Sequence, residues 1–175
     1  MDTFKNQQVD VSSLPKVEDL IFQPLERRYR TVLIIGRVIF SIISCSVLFF
    51  ALKELPVYIP AEMKYTGITL FILYLIWSFI TTIIGFKHKS YAVRQKDIIY
   101  KSGWLWKYTT TAPFKRVQHV RIDQGLIERN FNLARLKIFT AGGNSSDLSI
   151  PGLDPVTADE LKEFIVKKTL QDEEE

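Results

Sequence analysis

Two apolar runs, residues 31–52 and 65–86, constrain this chain more than any other feature. A bilayer's hydrocarbon core is about 30 Å thick and a helix rises about 1.5 Å per residue, so about 20 apolar residues cross it. Each run is long enough. The second carries no charge and the first carries only Arg37. Together they read as a transmembrane helical hairpin, and a chain of 175 residues has room for one modest domain beside it. The expected organisation is a polar N-terminal cytoplasmic segment over 1–28, the hairpin over 29–86, a soluble domain over 87–170 and an acidic tail over 171–175.

Flanking charge sets the expected orientation. Arg27, Arg28 and Arg30 precede the first run, and Lys87, Lys89, Arg94 and Lys96 follow the second. Between the runs, Lys53 and Lys64 are offset by Glu54 and Glu62. Basic residues near a membrane stay in the cytoplasm. Both termini are therefore expected there, with residues 56–62 as a short outside loop. The start does not resemble a cleaved leader: Asp2, Asp10, Glu18 and Asp19 stand where a basic stretch would be, so the first helix is expected to remain as an anchor. Arg37 lies about two turns into the first helix. It either snorkels to the inner headgroups or pairs with a partner's intramembrane carboxylate, which neither helix here offers. Trp77 and Tyr74 sit near mid-span and read as packing residues.

Residues 1–24 show no clear period. A short amphipathic piece on the inner leaflet and an unstructured tail are both compatible with them. After Phe86 the chain turns β-branched and aromatic. Tyr91 and Val93 alternate with Ala92 and Arg94, a strand beat. Residues 98–101 and 105–111 are expected to pair as a hairpin across Ser102–Gly103, with Trp104, Trp106 and Tyr108 on one packed face. Val120 and Ile122 alternate with His119, Arg121 and Asp123. Residues 135–140 form another strand, with Leu136 and Ile138 opposite Lys137 and Phe139. Gly142–Gly143–Asn144 reads as a turn and 148–150 as a last short strand. Residues 125–133 make one helical turn or a tight loop. A helix closes the chain, with Thr157 and Glu160 as a capping box, Val156 and Leu161 as its staple, and Leu161, Phe164, Ile165 and Lys168 on one stripe. Antiparallel strands followed by one helix favour a bent barrel or sandwich plugged by that helix.

Little chemistry is available. His88 and His119 are the only histidines, without metal-ligand spacing, and Cys45 is the single cysteine. No catalytic residue, metal or cofactor is expected. Asn144–Ser145–Ser146 fits a glycosylation sequon, which cytoplasmic placement would make irrelevant. Charge, by contrast, is polarised: residues 87–137 hold twelve Lys/Arg against three acids, and 138–175 hold three against nine. Lys87, Lys89, Lys115, Arg116, Arg121 and Arg129 are the candidate binding residues, for anionic lipid or a partner. The plain alternative is ordinary positive-inside charge on a solvated face. Nucleic acid is not expected, because the aromatics read as packing and the domain is tethered.

Several ordered blocks resemble a known family. They comprise Tyr91, Val93, Ile98, Ile99 and Gly103; then Pro113, Phe114, Arg116, Val117, Gln118, Val120, Ile122, Gln124, Gly125, Ile127 and Arg129; then Leu136, Ile138 and residues 140–143; then residues 150–153. With two preceding membrane helices, they look like the bacterial pleckstrin-homology-like membrane proteins of the YdbS type. The resemblance runs from the first helix to about Leu170. It implies a PH-like antiparallel barrel or sandwich capped by a C-terminal helix, on the cytoplasmic side of a bacterial plasma membrane, with no catalytic residues to carry over. The expected function is a membrane-anchored, non-enzymatic protein-interaction or assembly module, with a protein partner or further copies of itself and with membrane lipid around it. One alternative is an anionic-lipid headgroup sensor working through the six basic residues. A second is a small subunit of a transport or export complex, for which Arg37 is the only hint.

Overall fold

The structure, a computed structural model, describes residues 20–54, 60–141 and 148–173. The apolar runs form helices α1 (Arg27–Glu54) and α2 (Ala61–Lys87), each starting four residues before its run. At 28 and 27 residues they extend for about 42 and 40 Å, more than the hydrocarbon core requires. They lie antiparallel: Arg37 meets Thr82 at one end, and Leu48 and Leu52 face Met63 and Gly67 at the other. Ile42, Phe50, Leu70 and Ile76 are exposed on the pair. Helices apolar on nearly all sides are at home only in lipid.

The soluble domain consists of two antiparallel sheets. The first orders β1 (Gln23–Pro24), β2 (Ser90–Val93), β3 (Asp97–Ser102) and β4 (Tyr108–Pro113) side by side. The second orders β5 (Val117–Asp123), β6 (Ala134–Thr140) and β7 (Leu148–Leu153). A 3-10 turn, Phe114–Arg116, joins the sheets, and α3 (Leu126–Asn130) joins β5 to β6. Helix α4 (Pro155–Glu173) closes the domain. The expected choice between barrel and sandwich resolves to a sandwich, because β4 and β5 do not pair. Pro113 has no N–H for a continuing ladder, and the 3-10 turn carries the chain to the other sheet.

The core follows the strand alternation. Ala134, Leu136 and Ile138 point inward from β6 while Arg135, Lys137 and Phe139 point away. Ile98, Ala112 and Phe114 meet them from the first sheet, Leu148 and Ile150 join from β7, and Ala158 and Ile165 of α4 complete the cluster. Phe164 sets its ring edge-on to Phe114, with centroids 5.9 Å apart.

Three local expectations are corrected. The first concerns the cap of α4. Asp154 Oδ1 accepts the Val156 N–H at 3.1 Å and Pro155 opens the helix, so the helix starts ahead of the expected Thr157–Glu160 box. Proline fits that first position because its missing N–H would have no helical partner. Val156 is exposed and staples nothing.

The second is the β3–β4 hairpin, which is joined by residues 103–107 rather than by Ser102–Gly103 alone. Gly103 has φ +87°, and a Cβ there would lie 1.8 Å from the Trp106 carbonyl oxygen. The chain folds back on itself at this glycine, which takes Trp104 and Trp106 out of the strand. Trp106 and Tyr108 are exposed, so the expected packed aromatic face does not form.

The third is the N-terminal approach. Gln23 and Pro24 pair with Tyr91 and Ser90, and Leu25 is buried in the core. Residues 23–25 therefore belong to the sandwich, neither a leaflet helix nor a tail. The Gly142–Gly143 turn, the Asn144 sequon, residues 55–59 of the interhelix loop and the last two residues of the tail lie outside the described residues.

Candidate membrane-junction site

The sandwich is fastened to both helices at their domain-side ends. Helix α1 starts against β7: Tyr29 packs on Gly152, the Glu26 N–H donates to the Gly152 carbonyl at 3.0 Å, and Arg28 Nη2 reaches Asp154 at 3.0 Å. Helix α2 passes into β2 after only His88 and Lys89. The pairing register then shows which end of the first sheet faces the membrane. Ser90 lies opposite Lys101, and Ser102 opposite Tyr108. The β3–β4 loop is therefore at the helix end, and Pro113, opposite Asp97, is at the far end.

An open cleft of about 780 Å3 lies where helices and sandwich meet. Its walls are mainly apolar, supplied by Val32, Leu33, Phe40 and Phe86 from the helices and by Leu126 and Ile127 from α3. Gly36 adds room, since nothing lies within 4 Å of where its Cβ would be. Three cations line this apolar space. Arg37 Nε donates to the Thr82 hydroxyl at 3.1 Å, and that hydroxyl donates to the Ser78 carbonyl at 2.8 Å. Lys89 Nζ stands 5.4 Å from the centre of the Tyr29 ring. Arg135 Nη2 bonds Glu128 Oε1 at 2.7 Å, and Glu128 Oε2 accepts the Gly125 N–H at 3.0 Å. Arg135 Nε is enclosed without a hydrogen-bond partner among the described residues. With Glu128 as the only acid among the described lining residues, those residues carry two positive charges in excess. Burial, and to a lesser degree the Arg135 guanidinium, hold the Lys89 ammonium below its ordinary pKa. A strained cation beside apolar walls suits an anionic group that carries its own apolar part.

Comparison with known proteins gives the family. A family model described as "Bacterial PH domain" matches residues 31–169, from within α1 to within α4. This chain belongs to the bacterial PH domain family. The UPF0699 transmembrane protein YdbS of Bacillus subtilis (strain 168) is 32% identical over 125 residues, which cover 69% of this chain and 76% of that protein. No solved structure matches. The two apolar helices accord with the transmembrane description of that relative, and the two sheets with their closing helix form the PH-like part.

The bacterial PH domain distributes the six candidate basic residues over its whole length. Lys87 and Lys89 are at the junction, and only Lys89 lines the cleft. Arg129 is exposed on α3, which packs beside α1. Arg121 is spent on Asp123, with Nε 2.8 Å from Oδ1, while Lys137 reaches the same carboxylate at 2.7 Å. Those two partners, Lys137 first, hold the Asp123 carboxyl below its usual range. Lys115 and Arg116 follow β4, whose six residues run about 20 Å away from the helix end, and they line a separate cavity beside α4. His119 is exposed and stacks on Phe139 at 4.1 Å. Sequence reasoning missed Arg135, Glu128 and Thr82. Arg135 falls at the start of an expected strand and Glu128 within the expected helical turn or loop, and no sequence signal connects either with Arg37.

Proposed function

We propose that this protein is a membrane-anchored, non-enzymatic module that holds an anionic lipid in the junction cleft, at the cytoplasmic face of the plasma membrane. The observation that carries this reading is the placement of Arg37, Lys89 and Arg135 within apolar walls at the boundary between helices and sandwich. Such a cleft offers a negative headgroup two unneutralised cations and offers its acyl chains Phe40 and Leu33. Charge on the domain adds attraction to anionic leaflets, at about 1 kcal/mol per basic residue near the surface. The binding locus differs from an evenly basic domain face, because Lys115 and Arg116 stand at the far end of β4. The cytoplasmic placement rests on Arg27, Arg28, Arg30, Lys87 and Lys89 beside the helix ends.

A second reading, the assembly module, is favoured by β4. This strand ends the first sheet, and Thr109, Thr110 and Thr111 are exposed along it. An open strand edge can accept a strand from another chain. One experiment separates the readings: purification of the full-length protein from its native membrane in mild detergent, with mass spectrometry of accompanying lipids and proteins. Enriched anionic lipid supports the cleft reading. A stoichiometric protein partner, or the chain's own dimer, without enriched lipid replaces it with assembly.

A further inference from the structure

The β3–β4 loop, residues 103–107, lies alongside a membrane-spanning helix. The Trp104 ring stands 6.1 Å, centroid to centroid, from the ring of Trp77. Its Cδ1 is also 3.7 Å from where a Cβ on Gly85 would be. Gly85 and Trp77 are eight residues apart on α2, about 12 Å of helix rise. Phe86, the last apolar residue of that span, is next to Gly85. Trp104 is thus at the depth of the last two apolar turns of α2. The loop continues outward from that contact with Leu105 and Trp106, which are 62% and 72% exposed. Lys101 and Lys107 stand on either side of the apolar tip.

We propose that this loop is a membrane-inserted wedge, with Leu105 and Trp106 immersed in the lipid of the leaflet on the sandwich side. Three observations converge on lipid as the occupant. The Trp77 contact fixes the depth, and the surface is continuous with the lipid-facing side of α2. The apolar tip is followed by the exposed Lys107, whose ammonium reaches the phosphates as the indoles sit at the headgroup boundary, while the Lys101 ammonium lies 3.9 Å over the Phe22 ring. The Gly103 turn preforms the tip, so insertion orders no new loop. Leu105 and Trp106, which water would solvate poorly, are in this way covered, and the sandwich gains a contact with the bilayer besides its two helix junctions. This inference does not depend on a ligand in the cleft.

The test uses the full-length chain in nanodiscs and its three tryptophans, Trp77, Trp104 and Trp106. In the W77F/W104F variant only Trp106 emits. Lipids brominated near the headgroup end of their chains should quench it, and aqueous iodide should not. Quenching by iodide but not by brominated lipid would place the tip in water and overturn the proposal. Protection from both would place it under protein, such as a second copy, and would overturn it as well. The single W106F variant checks the assignment without altering the Trp77–Trp104 pair: shallow brominated lipid should quench it less than the unsubstituted chain. Equal quenching of the two would count against the proposal.

Discussion

Gly152 touches Tyr29 where no side chain has room to stand between them. A Cβ on Gly152 would lie 2.3 Å from Tyr29 Cγ, and the residue has φ +66°. A strand of the sandwich and the first turn of a membrane helix are thereby in contact at backbone distance. The Glu26-to-Gly152 hydrogen bond and the Arg28–Asp154 pair hold the same joint. Gly152→Ala should cost about 2–5 kcal/mol, combining left-handed backbone with overpacking. Thermal unfolding of the full-length chain in nanodiscs, followed by near-UV circular dichroism, reads this. A melting temperature unchanged from that of the parent would show that the joint yields.

Phe114 is completely buried between the sheets and α4. Phe114→Ala should destabilise the sandwich by about 3–5 kcal/mol, while Phe114→Leu should cost clearly less. Urea unfolding midpoints of both variants check the order; equal midpoints would contradict the packing described.

The Arg37–Thr82 hydrogen bond gives the intramembrane arginine a partner within its own chain. Thr82→Val should weaken the helix pair by about 0.6–2 kcal/mol, the range of hydrogen bonds between membrane helices. Reversible unfolding in mixed micelles provides the measurement, and an unaltered midpoint would make this bond incidental.

Lys89 supplies a pH dependence. Its folded pKa is below its unfolded value because burial disfavours the charged form. Below the folded value both states hold the proton and the buried charge opposes folding. As pH rises through the folded value the folded chain releases it first, the opposition disappears, and stability rises. An anionic headgroup beside the ammonium works in the other direction. Lipid retention should therefore fall as pH rises through the folded value, which lies below the ordinary lysine range. Lys89→Gln should flatten that dependence, and a dependence that persists in the variant would assign it elsewhere.

Asp123, between Arg121 and Lys137, should behave in the opposite sense. Its folded pKa is depressed, so its contribution is present above the ordinary carboxylate value and lost as pH falls through the folded one. Arg121 is exposed and Asp123 and Lys137 are half-buried at the surface, and Asp123→Asn should cost less than about 1 kcal/mol near neutral pH. Denaturant titration at neutral and acid pH would reveal a larger role if the cost at neutral pH exceeded that.

The hairpin and most strands were legible because length and period carry them. Residues 31–52 and 65–86 are too long and apolar for much else, and Leu136 and Ile138 declare a buried face by alternation. The β3–β4 loop was not legible: Trp104 and Trp106 keep a strand period, and only the fold-back at Gly103 removes them from it. Helix α4 starts ahead of the expected Thr157–Glu160 box because Pro155, preceded by Asp154, takes the first helical position more readily than an interior one. The six basic residues suggested one face. Charge is visible in sequence, but the length of β4, which separates Lys89 from Lys115, acts only in three dimensions. The cleft was the least legible, since Arg37, Lys89 and Arg135 come from three elements.

The most direct measurement compares lipid retention by two variants of the full-length chain, Lys89→Gln and the double variant K115Q/R116Q. Each is placed in nanodiscs of mixed anionic and zwitterionic lipid and released for native mass spectrometry. If the cleft holds the headgroup, Lys89→Gln loses bound anionic lipid and the double variant keeps it. Loss in the double variant, with retention in Lys89→Gln, would move binding to the far end of the sandwich and contradict the account.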